Sequence, residues 1–155
     1  MPAAPLQFGT AEPGKDYPDR PAAFGVAGRG DEIALARISK PGFAPWFDLP
    51  GGAIDPGEDA SQAVVREFGE ETGLIIRPVE ALGRADQFLR STEGRTFNNR
   101  STLFRVEIQG RDPGLKIEDD HELVWLQPLD ALRQLRHDSH VWAVALWLRD
   151  AVRRA

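Results

Sequence analysis

"GGAIDPGEDASQAVVREFGEETGL", residues 51–74, sets six acidic side chains behind a double glycine. Three of them, Glu67, Glu70 and Glu71, fall within five residues of one another. Like charges at i,i+3 and i,i+4 spacing on a helix repel by a few tenths of a kcal/mol per pair. A chain that keeps this cost either supplies a cation to offset it or spreads the charge on a solvated face.

The ends of the helix are marked. Asp59 is suited to cap it and Gln62, three residues on, to reach back to the cap's N–H, so a helix is predicted from Ala60 to Thr72. Gly73 suits the left-handed residue beyond the last turn, and Leu74 its hydrophobic contact. At about 100° per residue, Val64, Val65, Phe68 and Thr72 form a mostly apolar stripe, with the glutamates centred roughly 120° away. Packing that stripe on a sheet leaves the carboxylates at the helix edge, beside the preceding loop. Hard divalent cations prefer such oxygen ligands, and magnesium combines carboxylates with water and substrate phosphate. Gly51-Gly52 permits a backbone turn that presents a carbonyl as a further ligand. Arg66 is expected to bridge and orient carboxylates such as Glu58. Gly69 is unexplained, since glycine inside a helix costs about 1 kcal/mol relative to alanine.

The remaining chain narrows the classes. Its 155 residues suit one domain, and 41% hydrophobic with 28% charged residues is ordinary for a soluble protein. No apolar run approaches the roughly 20 residues of a membrane helix, and the first residues lack a secretory signal's basic start and apolar stretch. Without cysteine there is no disulfide, zinc–thiolate site or thiol nucleophile, and cytoplasmic residence is expected. A net charge of −5 argues against binding a nucleic-acid polymer. An anionic small molecule remains open to an acidic protein if divalent ions bridge the two.

Residues 1–20, rich in Pro, Gly and Asp, read as an irregular arm, with one domain over 21–155. Residues 22–29 and 32–38 read as strands joined by a turn at Gly30-Asp31, a hairpin. "WFDL" (46–49) is a short strand entering the double glycine. Two longer strands are expected around the polar loop "RSTEGRTFNN", then a strand at 122–128, a helical turn, and a last helix from Ser139 to Arg153. Strands interspersed with helices and including a hairpin imply a mixed sheet covered by helices.

The stretch resembles the signature of the Nudix hydrolases: Gly, five residues, Glu, seven residues, then Arg-Glu-U-x-Glu-Glu-x-Gly-U, U being bulky and apolar. Gly52, Glu58, Arg66, Glu67, Phe68, Glu70, Glu71, Gly73 and Leu74 fill every specified position. Phe68 stands where an aliphatic residue is more usual. The resemblance implies an α/β fold of the Nudix α/β/α sandwich type with a mixed β-sheet. It also implies hydrolysis, with magnesium or manganese, of a nucleoside diphosphate linked to another group. Carried over, Glu67, Glu70 and Glu71 with the Gly51 carbonyl are metal ligands, Glu67 also helps to activate water, and Arg66 supports them. Glu58 is structural, with a possible water-mediated metal contact. The family often adds an acidic residue outside the signature, for which Glu118, Asp119, Asp120 and Glu122 are candidates.

Other features have plainer readings. His137 and His140 suit an exposed turn and helix start, and Trp46, Phe47 and Phe88 suit the core. Arg84, Arg90, Arg95 and Arg100 surround the polar loop, solvated or meeting phosphates. Marks of several Nudix subfamilies are absent, which leans the reading toward nucleoside triphosphates. A nucleotide-sensing module without activity, or a hydrolase of ADP-ribose or another diphosphate, are the alternatives. Trp142 and Trp147 lie about 140° apart on the last helix. One is therefore expected to be exposed, favouring a homodimer through this helix or the N-terminal arm.

Overall fold

The computed structural model describes residues 4–155, so the first three residues of the expected arm lie outside the described residues. In chain order come β1 (Leu6–Phe8), β2 (Asp19–Arg29), β3 (Glu32–Ile38), β4 (Trp46–Asp48), β5 (Gly51–Ala53) and α1 (Ala60–Thr72). They are followed by β6 (Leu74–Arg90), β7 (Thr96–Arg111), β8 (His121–Leu126), α2 (Pro128–Gln134) and α3 (Asp138–Arg154).

β2 is the spine, and its alternation explains both layers. Ala22, Phe24 and Val26 face one side, while Ala23 and Ala27 face the other. It runs parallel to β7 from Asp19↔Asn98 to Ala27↔Val106. The β2–β3 hairpin closes at Arg29↔Glu32, with Gly30 at φ +60° in the left-handed region that such turns require. Past that turn β3 leaves β2 and pairs with β4 and β8. The vacated edge of β2 is taken by the double glycine, Phe24 opposite Gly51 and Ala23 opposite Gly52. The signature's glycines are therefore inside the sheet.

α1 lays Ala63, Val64 and Phe68 on Ala23, Ala27, Phe104 and Val106. α2 and α3 cover the opposite face with Ala131, Leu135, Ala143 and Val144 against Phe24, Val26, Leu35 and Leu103. The result is an α/β/α sandwich around a mixed sheet. Phe68 is fully buried, a contribution of roughly 1.5–3 kcal/mol. Asp59 and Gln62 form the expected capping box, and Gly73 ends α1 at φ +76° with its N–H on the Gly69 carbonyl.

Several expectations are corrected. The N-terminal segment is not wholly irregular: Leu6–Phe8 adds a parallel strand to β6, and β2 already begins at Asp19. Val65 is 39% exposed, because it lies beyond the edge of the stripe that Ala63, Val64 and Phe68 bury. His140 is buried, its Nδ1 accepting the Leu49 N–H at 3.1 Å. Trp46, Phe47 and Phe88 are half-buried rather than core. Neither Trp142 nor Trp147 stands free. Glycines make room for both, a Cβ on Gly83 falling 2.6 Å from Trp142 and one on Gly28 2.8 Å from Trp147. The ground for a homodimer through those side chains is removed.

Candidate active site

The buried face of α1 fixes where its carboxylates point. Glu67 lies over β5 so closely that a Cβ on Gly52 would stand 2.9 Å from its carboxylate. Gly51, at φ +148°, would press a Cβ to 2.2 Å from the Ala23 carbonyl oxygen. The first glycine is demanded by the sheet and the second by the glutamate.

Arg66 is the hub of the cluster. Its Nε and Nη2 donate to Oε2 and Oε1 of Glu58 at 2.8 and 2.9 Å. Nη1 donates to Glu67 at 3.1 Å and Glu70 at 3.0 Å, and Nη2 also reaches the Ala53 carbonyl at 3.1 Å. This bidentate bond holds the Glu58 carboxyl below its usual range.

Among the described residues Glu71 has no arginine or lysine partner. It is 5% exposed, and its Oε1 accepts the Gly51 N–H at 3.3 Å, beside the Glu67 carboxyl. Burial first, then the Glu67 charge, pushes its carboxyl well up. Burial also raises Glu67, against the pull of Glu71 and Arg66. Two crowded carboxylates that resist ionising together mark a place where positive charge is short.

The candidates outside the signature separate. Ile117 and Glu118 donate their backbone N–H groups to the Glu70 carbonyl at 2.9 and 3.1 Å, tying Glu118 to the end of α1. Glu118, Asp120 and His121 present ligand atoms within 4.8 Å of one another. His121 Nε2 is 3.8 Å from Glu71 while its Nδ1 is 2.6 Å from Asp120, which also pairs with Lys40. Glu122 does not join them. It projects from the opposite face of β8, 3.8 Å from Arg37, because side chains alternate along a strand. Asp119 is exposed.

Next to the carboxylates a cleft of about 320 Å³ opens, lined by Arg20, Lys40, Trp46, Arg95, Phe97 and Arg136 among others. Trp46 is stacked by Arg136 at 4.5 Å, and Phe97 by Arg20 at 4.7 Å. Of the loop arginines, Arg95 lines this cleft and Arg90 a neighbouring cavity of about 450 Å³. Arg100 is turned to Asp19 and Asp86 at 3.3 and 3.4 Å, and Arg84 is exposed. Arg20 was invisible in the sequence, where it stands within a presumed surface arm.

The NUDIX domain family model matches residues 18–148. This chain belongs to the Nudix family. It is 32% identical over 117 residues to an ADP-ribose pyrophosphatase of Methanocaldococcus jannaschii, covering 76% of this chain and 66% of that protein. It therefore spans slightly less than two thirds of that relative's length. It is 30% identical over 113 residues to an RNA pyrophosphohydrolase of Dinoroseobacter shibae, covering 62% of this chain and 71% of the other. A NUDIX hydrolase structure from Nitrosomonas europaea superposes with a TM-score of 0.71 at 22% identity, over 85% of this chain and 90% of that one. That likeness concerns the Nudix fold. These relatives are named for cleaving diphosphate bonds, and among the described residues no helix is long and apolar enough to cross a membrane.

Proposed function

We propose that this Nudix protein is a divalent-metal-dependent pyrophosphohydrolase acting on a nucleoside diphosphate linked to another group, with nucleoside triphosphates as the preferred class. The observation that carries this is the buried Glu71 carboxyl, without an arginine partner among the described residues and crowded by Glu67, beside a cleft lined with cations. The donor set is all oxygen, as magnesium or manganese requires: Glu67, Glu70, Glu71 and the Gly51 carbonyl, with Glu118 as the acidic residue outside the signature. Such a metal, when bound, polarises phosphoryl oxygens and lowers the pKa of a bound water. Glu67, whose carboxyl burial raises above its ordinary range, is suited to accept a proton at its carboxylate. Arg66 holds Glu67 and Glu70 in place, and Gly52 leaves the room Glu67 occupies. The cations of the cleft orient the phosphate chain.

The partner is a small nucleotide rather than a nucleic-acid polymer, supported by the net charge of −5. The name of the Dinoroseobacter relative makes a 5′-triphosphorylated RNA oligonucleotide the necessary comparison. A cytoplasmic location belongs to the same proposal, supported by a chain without cysteine. A homodimer, if formed, has exposed Val152 on α3 and Leu6 on β1 to use. The test is a hydrolysis screen over nucleoside triphosphates, nucleotide sugars, ADP-ribose, dinucleoside polyphosphates and that oligonucleotide, with magnesium and with manganese. Turnover that needs the metal and is lost in Glu70→Gln supports the proposal. Binding without turnover across the panel would make the protein a sensor instead.

A further inference from the structure

The cations that line the cleft are not alike. Lys40 pairs with Asp120, Arg136 with Asp48 at 2.8 Å and Arg95 with Glu93 at 3.0 Å. Arg20 has no carboxylate partner among the described residues. Its Nε donates to Asn99 Oδ1 at 2.8 Å, and its guanidinium lies 4.7 Å from the Phe97 ring centroid. Neither contact neutralises it. Asn99, itself buried, stands opposite Arg20 across the parallel β2–β7 pair, so the sheet fixes the direction of the fork. Leaving a partly buried cation without a counter-charge is costly, and Arg95, whose side chain also stacks on Phe97 at 5.8 Å, adds to that cost. Glu67 is close enough to act on Arg20 electrostatically, yet the two make no ion pair. The acidic cluster is short of positive charge, and the neighbouring guanidinium is short of negative charge.

Resting on the function proposed above, we infer that Arg20 binds the outer phosphate of a triphosphate chain whose inner phosphates lie at the carboxylate cluster. The guanidinium offers two terminal amino groups with no partner among the described residues, and planar forks of this kind match phosphate oxygens two at a time. Arg20 and Glu67 act on one another electrostatically without forming an ion pair, so a phosphate chain lying between them can engage both. A substrate with only two phosphates reaches the acidic cluster but leaves Arg20 unused. Arg20 is therefore a specificity residue that favours nucleoside triphosphates over two-phosphate substrates such as ADP-ribose.

Steady-state kinetics of the full chain with magnesium test this on GTP and on ADP-ribose. Arg20→Gln should lower kcat/KM for GTP by about tenfold to a hundredfold, mainly through KM. For ADP-ribose the loss should be roughly threefold or less. Arg20→Lys, which keeps the charge without the fork, should fall between. The melting temperature without substrate should drop little in Arg20→Gln, since no carboxylate pairing is lost, only one neutral hydrogen bond to Asn99 and the contact with Phe97. Equal losses on the two substrates, or a lowered melting temperature with unchanged kinetics, would overturn the inference and leave Arg20 a structural residue. If the wild type cleaves neither compound, the wider screen decides on the proposed function, and calorimetry with magnesium and inorganic tripolyphosphate still decides on Arg20. Weaker binding in Arg20→Gln then supports it, and equal binding refutes it.

Discussion

Arg66 and Glu58 are joined by two parallel bonds, Nε to Oε2 at 2.8 Å and Nη2 to Oε1 at 2.9 Å. That fork ties the loop after β5 to the middle of α1 and spends most of the guanidinium away from any substrate. Arg66→Ala should therefore lower stability as well as activity, leaving Glu58, Glu67 and Glu70 without their shared cation. A loss of about 1–2 kcal/mol is expected, since the pair is partly solvated. Thermal melting without metal reads the first effect and phosphate release with magnesium the second. Arg66→Lys should restore little, because a point charge cannot span both oxygens.

Glu70→Gln separates chemistry from structure. The amide keeps an oxygen for the Arg66 bond seen at 3.0 Å but removes an anionic ligand oxygen. The lost i,i+4 attraction to Arg66 and the relieved repulsion among glutamates roughly cancel, so metal-free stability should change by about 0.5 kcal/mol or less. Turnover should fall by orders of magnitude. Wild-type turnover in this variant would show that the charged edge of α1 is not the catalytic site.

Glu71 makes the metal-free protein sensitive to alkali. Its carboxyl is raised well above the 4.5 of a free glutamate, so the folded state favours the protonated form. The resulting stability is present below that value and is lost as pH rises through the folded one. As pH rises above 4.5, the chelator-treated wild type should lose melting temperature relative to Glu71→Gln, and added magnesium should recover most at the higher pH. Parallel pH profiles of the two proteins would dismiss the argument.

His140 acts in the opposite direction. Burial holds its pKa down to about 3, and that of His137 to about 4. The neutral ring accepts the Leu49 N–H at 3.1 Å, so stability is present above the ordinary histidine value and is lost as pH falls toward 3. His140→Leu should cost about 1–3 kcal/mol at neutral pH by stranding the Leu49 N–H. It should also flatten the acid limb of the melting profile. An unchanged acid limb would assign it to other groups.

Gly69 also has a measurable consequence. A Cβ there would meet Leu115 side-chain atoms at 3.4 and 3.5 Å, an ordinary contact. Gly69→Ala should then gain about 0.5–1 kcal/mol from helix propensity and leave turnover unchanged. Destabilisation would show that Leu115 cannot yield.

Whereas β1 and the strand formed by the double glycine were not legible along the chain, the β2–β3 hairpin, the bounds of α1, its capping box and the grouping of Glu58, Arg66, Glu67, Glu70 and Glu71 were. They depend on interactions within about a turn of helix or across a tight hairpin, where spacing in sequence is spacing in space. Glu122 and His140 were not legible. One strand residue in two points away from the site, and which of Glu118 and Glu122 reaches α1 depends on the pairing of β8 with β3. His140 is buried because Leu49 offers it an N–H from 91 residues away. The sequence alone thus determined a charged helix edge that calls for a cation, together with the glycines that make room for it. Only the tertiary structure placed Arg20 beside that edge, because the parallel pairing of β2 with β7 sets it opposite Asn99. Such non-local strand pairing comes from the sheet's packing and leaves no local mark in the order of residues.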